Sequence, residues 1–275
     1  MTCRTIALCF TDTQSAETLA ATGAALARRH GAHLLGLHVL PDPFVHPSTS
    51  IYLTGEIVTQ IRTGQRDTAH QIETAFLKAA ESEGVTPEWR CLEARLVTVG
   101  ERLCESARAA DLVLVARPEQ GGGGRPQEEL IRNAGRPVLM IPPGYAPATL
   151  GASAVIGWSA TREATRAAHD ARLLLNEGAE VVLLSVEKAP DPQERDYPAN
   201  EMAAMLSRHG LKATVTHRVP NERRIAEVIE REAFETGASF IATGAFGHSR
   251  AYDFVLGTVT HDLMRDAKRP VLFSK

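Results

Sequence analysis

Residues 240–270 read FIATGAFGHSRAYDFVLGTVTHDLMRDAKRP. An apolar run ends at Thr243, glycines follow at 244 and 247, and Gly257-Thr258 opens a stretch with helical periodicity that stops before Arg269-Pro270. A buried strand, a glycine loop and a helix start, in that order, belong to an open α/β sheet, where ligands bind beyond the carboxyl ends of the strands. Glycine there leaves no Cβ between the backbone and an anion, and the free amides and positive dipole end of a helix start favour negative charge. Thr258 and Thr260 add hydroxyls. A lone Gly-x2-Gly is usually a plain turn; the strand before it and the Gly-Thr helix start after it point to a phosphate loop.

Working outward, the chain repeats itself. RNAGRPVL (132–139) and RDAKRPVL (265–272) are the same motif at an offset of 133 residues. ADLVLVAR (110–117) resembles ASFIATGA (238–245), and TIALCFT (5–11) resembles SAVIGWS (153–159). Each front run is followed by a helical stretch, 15–32 and 161–179, that reaches Gly-Ala, with glycine at the expected helix stop. An apolar run comes next, LLGLHVL (34–40) or VVLLSV (181–186). Such a period is too long for a solenoid unit, so each copy is a whole domain.

In the second copy, apolar runs at 153–158, 181–186, 212–218, 239–243 and 270–274 alternate with helical patterns at 161–177, 198–209, 222–236 and 257–267. Continuous apolar runs joined by helices predict parallel strands covered on both faces. The predicted fold class is α/β, two tandem doubly wound parallel-sheet domains of Rossmann-like type. The Pro- and Gly-containing stretch 142–152 divides them into 1–148 and 149–275. The first copy carries a longer segment, 41–60, after its second strand.

A net charge of −3 provides no basic field for nucleic acid. The cysteines, Cys3, Cys9, Cys91 and Cys104, show no metal-ligand spacing and read as thiols of a reducing, cytoplasmic compartment, with Cys9 buried in a strand. The first residues read as a strand and no run is long enough to span a bilayer, so no membrane partner is expected. His261 reads as a surface or core-edge residue and Glu222, Arg223 and Arg224 as a solvated helix start. No nucleophile–base pair, Walker loop or paired carboxylates can be read.

Gly244-x2-Gly247-x9-Gly257-Thr258 after a fourth strand resembles the ATP-binding signature of the universal stress protein family, whose fold is of the adenine nucleotide alpha hydrolase-like type. WSATREATRAAHDA (158–171) resembles that family's first strand and helix, and the tandem arrangement resembles its two-domain bacterial members. The resemblance implies ATP or AMP, with a divalent cation such as Mg2+ on the phosphates. It implies that Gly244, Gly247, Gly257 and Thr258 bind phosphates and ribose, that Val259 and Thr260 add contacts, that Thr243 lies beside the ribose, and that Val186 meets adenine. His248 is a further loop candidate, read first as a solvated histidine. The family's aspartate at the end of strand one is Ser159 here, which loses a charge-assisted hydrogen bond. The resemblance also implies domain pairing through the last strands, VLMIP with VLF, making the tandem an internal dimer, and a homodimer of chains.

In the first copy Gly244, Gly247, Gly257 and Thr258 correspond to Ala116, Glu119, Gly124 and Arg125. Two glycines are missing and the loop is shorter, so a single nucleotide site is expected, in the second domain. The run Gly121–Gly124 reads as a shortened turn ahead of an anion loop with Arg117 and Arg125. The leading reading is a nucleotide-dependent regulator in stress response; the rivals are a slow ATPase and a nucleotide-free interaction module.

Overall fold

The computed structural model describes residues 3–43, 54–118, 124–187, 192–247 (192–196 as backbone only) and 257–275. Within these the chain forms two compact units, Thr2–Ala134 and Gly135–Lys275.

The first unit holds β1 (Thr5–Phe10), α1 (Ala16–His30), β2 (His33–Leu40), α2 (Gly55–Ser82), β3 (Pro87–Glu93), α3 (Val99–Ala107), β4 (Leu112–Ala116) and α4 (Arg125–Asn133). Its strands lie in the order β3-β2-β1-β4, each neighbouring pair parallel. The second unit holds β5 (Val138–Ile141), a 3-10 turn (Pro147–Thr149), β6 (Ser153–Trp158), α5 (Arg162–Ala171), β7 (Glu180–Val186), α6 (Pro192–Arg208), β8 (Lys212–Arg218), α7 (Ile225–Glu235), β9 (Phe240–Gly244), α8 (Thr258–Asp266) and β10 (Val271–Ser274). Its strand order is β5-β10-β9-β6-β7-β8, with β5 antiparallel to β10 and the other neighbours parallel. Each unit is thus a doubly wound sheet that runs outward from its first strand and then returns to that strand's other side. The crevice this reversal opens, β1/β4 in one unit and β6/β9 in the other, is the expected ligand position.

The compact units divide ahead of 142–152 because β5 pairs with β10, Val271 facing Met140 and Phe273 facing Val138. The central strands are apolar along their length because both faces are covered: Leu112–Ala116 and Phe240–Ala242 are all buried. Gly31 ends α1 in the left-handed region at φ 60°, its amide reaching the carbonyls of Ala27 and Arg28. The matching helix α5 stops at Ala171, not at Gly178. Past its end the amides of Leu173 and Leu174 donate to the carbonyls of Asp170 and Ala171, bonds that span three residues and tighten the last turn. Residues 55–60 of the long segment are helical: Thr54 caps α2 by accepting the Ile57 amide at 3.4 Å. Glu222, Arg223 and Arg224 precede α7, since Asn221 and Glu222 are left-handed, at φ 44° and 69°.

Candidate functional site

The carboxyl end of β6 delivers Ser159 to the surface, and its hydroxyl lies 3.2 Å from that of Thr161. Thr161 caps α5 by accepting the Ala164 amide at 3.3 Å. Only Ser159 and Ala160 separate strand from cap, so the helix begins close against the sheet. The glycines of β9 follow from that closeness. A Cβ on Gly244 would lie 2.7 Å from the Ala164 nitrogen and 2.7 Å from the Glu163 carbonyl carbon. A Cβ on Gly247 would lie 2.9 Å from the Glu163 carboxylate. Neither glycine is left-handed. Gly244 therefore has no room for a side chain against the backbone of the α5 start, whereas at Gly247 only the end of the Glu163 side chain stands in the way.

Between them, Phe246 is left-handed at φ 52°, uncommon for a bulky side chain. Its amide donates to Thr260 Oγ1 at 3.2 Å, and its ring meets His261 edge-on at a centroid distance of 5.6 Å. Thr260 is buried and engaged within the protein. Gly257 caps α8 at φ 83°, as the sequence demanded, and a Cβ there would lie 3.2 Å from the Phe246 ring. Thr258 is exposed at the first position of α8 and Val259 is half-buried. The first amides of a helix have no partner within it, and α8 has no acid in its first turn to compete with an external anion. Thr243 is buried, its hydroxyl on the Gly244 carbonyl at 3.2 Å, and Val186 ends β7 half-buried. The fold therefore gathers Ser159, Val186, Thr243, Gly244, Gly247 and Gly257–Thr260 at the carboxyl ends of β6, β7 and β9. His248 lies outside the described residues.

Sequence reasoning missed Thr161, Glu163 and Phe246. Glu163 is buried, and its carboxylate accepts from Arg162 Nε at 2.6 Å. The signal for Thr161 was present, a hydroxyl residue between a strand and a helical pattern. Nothing local marks Phe246, whose role comes from the distant Thr260 and His261. Among the described residues no group of three His, Cys, Asp or Glu side chains could hold a metal ion.

The corresponding corner of the first unit is built differently. Gly124 caps α4 at φ 52°, and Pro118 lies under it where Phe246 lies under Gly257. Pro118 has no amide hydrogen, so the third residue of the helix has no donor to accept. That residue is Gln127, buried, and its Nε2 donates to the Ala116 carbonyl at 3.3 Å and to Thr11 Oγ1 at 3.4 Å, across the β1/β4 crevice. Pro126 removes one free amide from the helix start, and Glu128 adds an acid to its first turn. Ala116 carries a Cβ where the second unit has Gly244, and the cap of α1, Ser15, lies two residues further from its strand than Thr161 does. Glu119 and Gly121–Gly123 lie outside the described residues.

Both units share one link. Asp262, the fifth residue of α8, accepts from Arg224 Nη1 at 2.8 Å, and Arg224 precedes α7; Glu129, the fifth residue of α4, accepts from Thr98 Oγ1 at 2.7 Å, and Thr98 caps α3. A link present in both corners belongs to the fold. Cys9 is fully buried, and its thiol pKa is raised by burial and then by neighbouring Cys104, whose own is pushed up to about 11 mainly by burial. No described helix is long and apolar enough to cross a membrane.

Residues 155–275 match the model of the universal stress protein family. No curated protein matches the chain. Among solved structures, a universal stress protein from Archaeoglobus fulgidus is similar over 98% of this chain and 96% of its own, at 13% identity and a TM-score of 0.75. A putative universal stress protein from Pseudomonas aeruginosa is similar over 99% of this chain and 93% of its own, at 13% identity and a TM-score of 0.54. These likenesses establish the same fold across both units, and the match at 155–275 covers the whole of the glycine corner. Residues 155–275 thus carry a universal stress protein domain, and the likeness that extends over the first unit is one of fold.

Proposed function

We propose that the second unit binds an adenine nucleotide, ATP or AMP, with its phosphates on the start of α8, and that the bound state biases a surface read by a partner in stress response. The observation that carries this reading is the α8 start: a left-handed glycine cap, an exposed Thr258 and no acid in the first turn, held beside the end of β9 by the hydrogen bond from Phe246 to Thr260. Gly257, Thr258 and Val259 contact phosphate through the backbone, and Thr258 adds its hydroxyl. Gly244 and Gly247 let the loop pack onto α5, and Thr260 holds the loop through Phe246. Thr243 and Val186 border the ribose and base, and Ser159 takes the place of an acid on the nucleoside. His248 stays a loop candidate. Mg2+ accompanies the phosphates. The protein acts in the cytoplasm, and two chains pair as a homodimer.

Ligand carried through purification tests this reading. The protein is denatured and the supernatant analysed by mass spectrometry, with a thermal-shift titration in millimolar ATP alongside. AMP or ATP in the supernatant, or a rise in melting temperature with ATP, is the expected result. An empty protein with no shift would overturn it in favour of a nucleotide-free interaction module.

A further inference from the structure

The two units place opposite chemistry at one position of their last helix. Four residues past the left-handed glycine cap stands His261 in α8 and Glu128 in α4. Glu128 is turned along its own helix, its carboxylate accepting from Arg132 Nε at 2.8 Å. His261 is exposed. Side chains of a helix lean back over the turn before them, and the imidazole follows that rule. Its Cδ2 atom lies 3.5 Å from the place a Cβ on Gly257 would take. The Phe246 ring stands against it edge-on, at a centroid distance of 5.6 Å and an interplanar angle of 72°. The imidazole is thus held over the glycine cap, at the turn whose first amides, those of Thr258, Val259 and Thr260, have no partner within the helix.

The residue type at this position decides how an anion is received. A carboxylate in the first turn interacts with the helix start itself and repels an external anion. An imidazole donates a hydrogen bond when neutral and adds a positive charge when protonated. A positive charge at a helix start opposes the helix dipole, so His261 brings the isolated helix no electrostatic gain. With an anion seated on the same turn, the same group becomes favourable. The neighbouring charges are engaged elsewhere: Asp262 accepts from Arg224 at 2.8 Å and from Arg265 at 3.1 Å, and Arg265 also donates to Asp266 at 2.8 Å.

We propose that His261 is a phosphate ligand, its imidazole donating to a phosphate oxygen of the nucleotide seated on the α8 start. The assignment rests on the nucleotide reading of that corner and adds to it a side chain outside the glycine signature. Phe246 supplies the wall against which the imidazole rests, and its own left-handed backbone is tied to Thr260, so the ring and the helix start are fixed together.

Calorimetric titration of ATP into the full chain, in wild type and in variants of His261, tests the proposal. His261→Ala removes the donor and should weaken ATP about tenfold. His261→Glu, which brings in the first unit's residue type, should weaken it further. An acid in the first turn favours the helix, so this variant should keep the parent's melting temperature. His261→Arg keeps a cationic donor while losing the imidazole, and should bind ATP within about threefold of wild type; this separates a phosphate contact from a role in packing on Phe246. ATP affinity in His261→Ala equal to that of wild type, or a loss in His261→Arg as large as in His261→Ala, would overturn the proposal and leave the nucleotide reading standing. Wild-type protein that binds no ATP would overturn both.

Discussion

The last-helix corners of the two units begin from the same plan and solve one local problem in opposite ways. In both, a left-handed glycine caps the helix and the second residue past the strand packs beneath it. In the second unit that residue is Phe246, whose amide needs an acceptor, and Thr260 supplies it. In the first unit it is Pro118, which has no amide, and Gln127 turns across the crevice and bonds to Ala116 and Thr11. The difference between the two corners is therefore more than the absence of two glycines. It includes a side chain in the crevice, a proline among the amides and an acid in the first turn.

The largest expected effect of breaking this comparison is at Gly244. Gly244→Ala would set a Cβ against the backbone of α5 and should cost ~1–3 kcal/mol or more, since its two nearest neighbours are main-chain atoms. Ala116→Gly in the first unit should cost only about 0.5–1 kcal/mol. Denaturant titrations of the two variants check the contrast; equal losses would mean that the α5 start is not what requires the glycine.

Thr260→Val removes the acceptor of a buried amide and should cost about 1–3 kcal/mol. The same denaturant titration reads it, and a loss below a few tenths would show that the Phe246 amide finds another partner. Gly124→Ala and Gly257→Ala place a Cβ at φ 52° and 83° and should each cost about 1–2 kcal/mol in melting experiments. Nucleotide affinity should fall only in the second.

The smallest effect concerns pH and the first unit alone. His38 is buried, and burial lowers its pKa below the ordinary imidazole value, opposed by its contact with the Phe10 carbonyl at 3.0 Å. The unfolded chain then binds a proton at a higher pH than the folded one. Stability is unaffected by this group above its unfolded pKa of about 6.5 and falls as the pH drops below it. A His38→Gln variant should show a shallower loss of stability between about pH 6.5 and the lowered folded value; an unchanged slope would place the acid sensitivity elsewhere.

The alternation of apolar runs and helical patterns made both sheets legible, because strands covered on both faces leave an unbroken apolar record. Gly257 was legible for a similar reason: a glycine before a helical pattern meets a local conformational demand. At Gly244 the structure adds a constraint that no local pattern shows, the backbone of α5, some 80 residues away in the chain. The early end of α5 was hidden because Leu173 and Leu174 fit a helix as well as a turn until the partners of their amides are known. Gln127 could not be read as a crevice-filling residue without seeing Ala116 and Thr11 beside it.

Calorimetric titration of ATP into the wild-type chain and into Thr258→Glu tests the central claim most directly. Thr258 is exposed, and an acid in the first turn of a helix favours the helix itself, so the variant should fold as the parent does while repelling phosphate. One site per chain, lost or weakened at least tenfold in Thr258→Glu, is the predicted result. Two equivalent sites per chain, or a Thr258→Glu variant that binds as tightly as wild type, would contradict it.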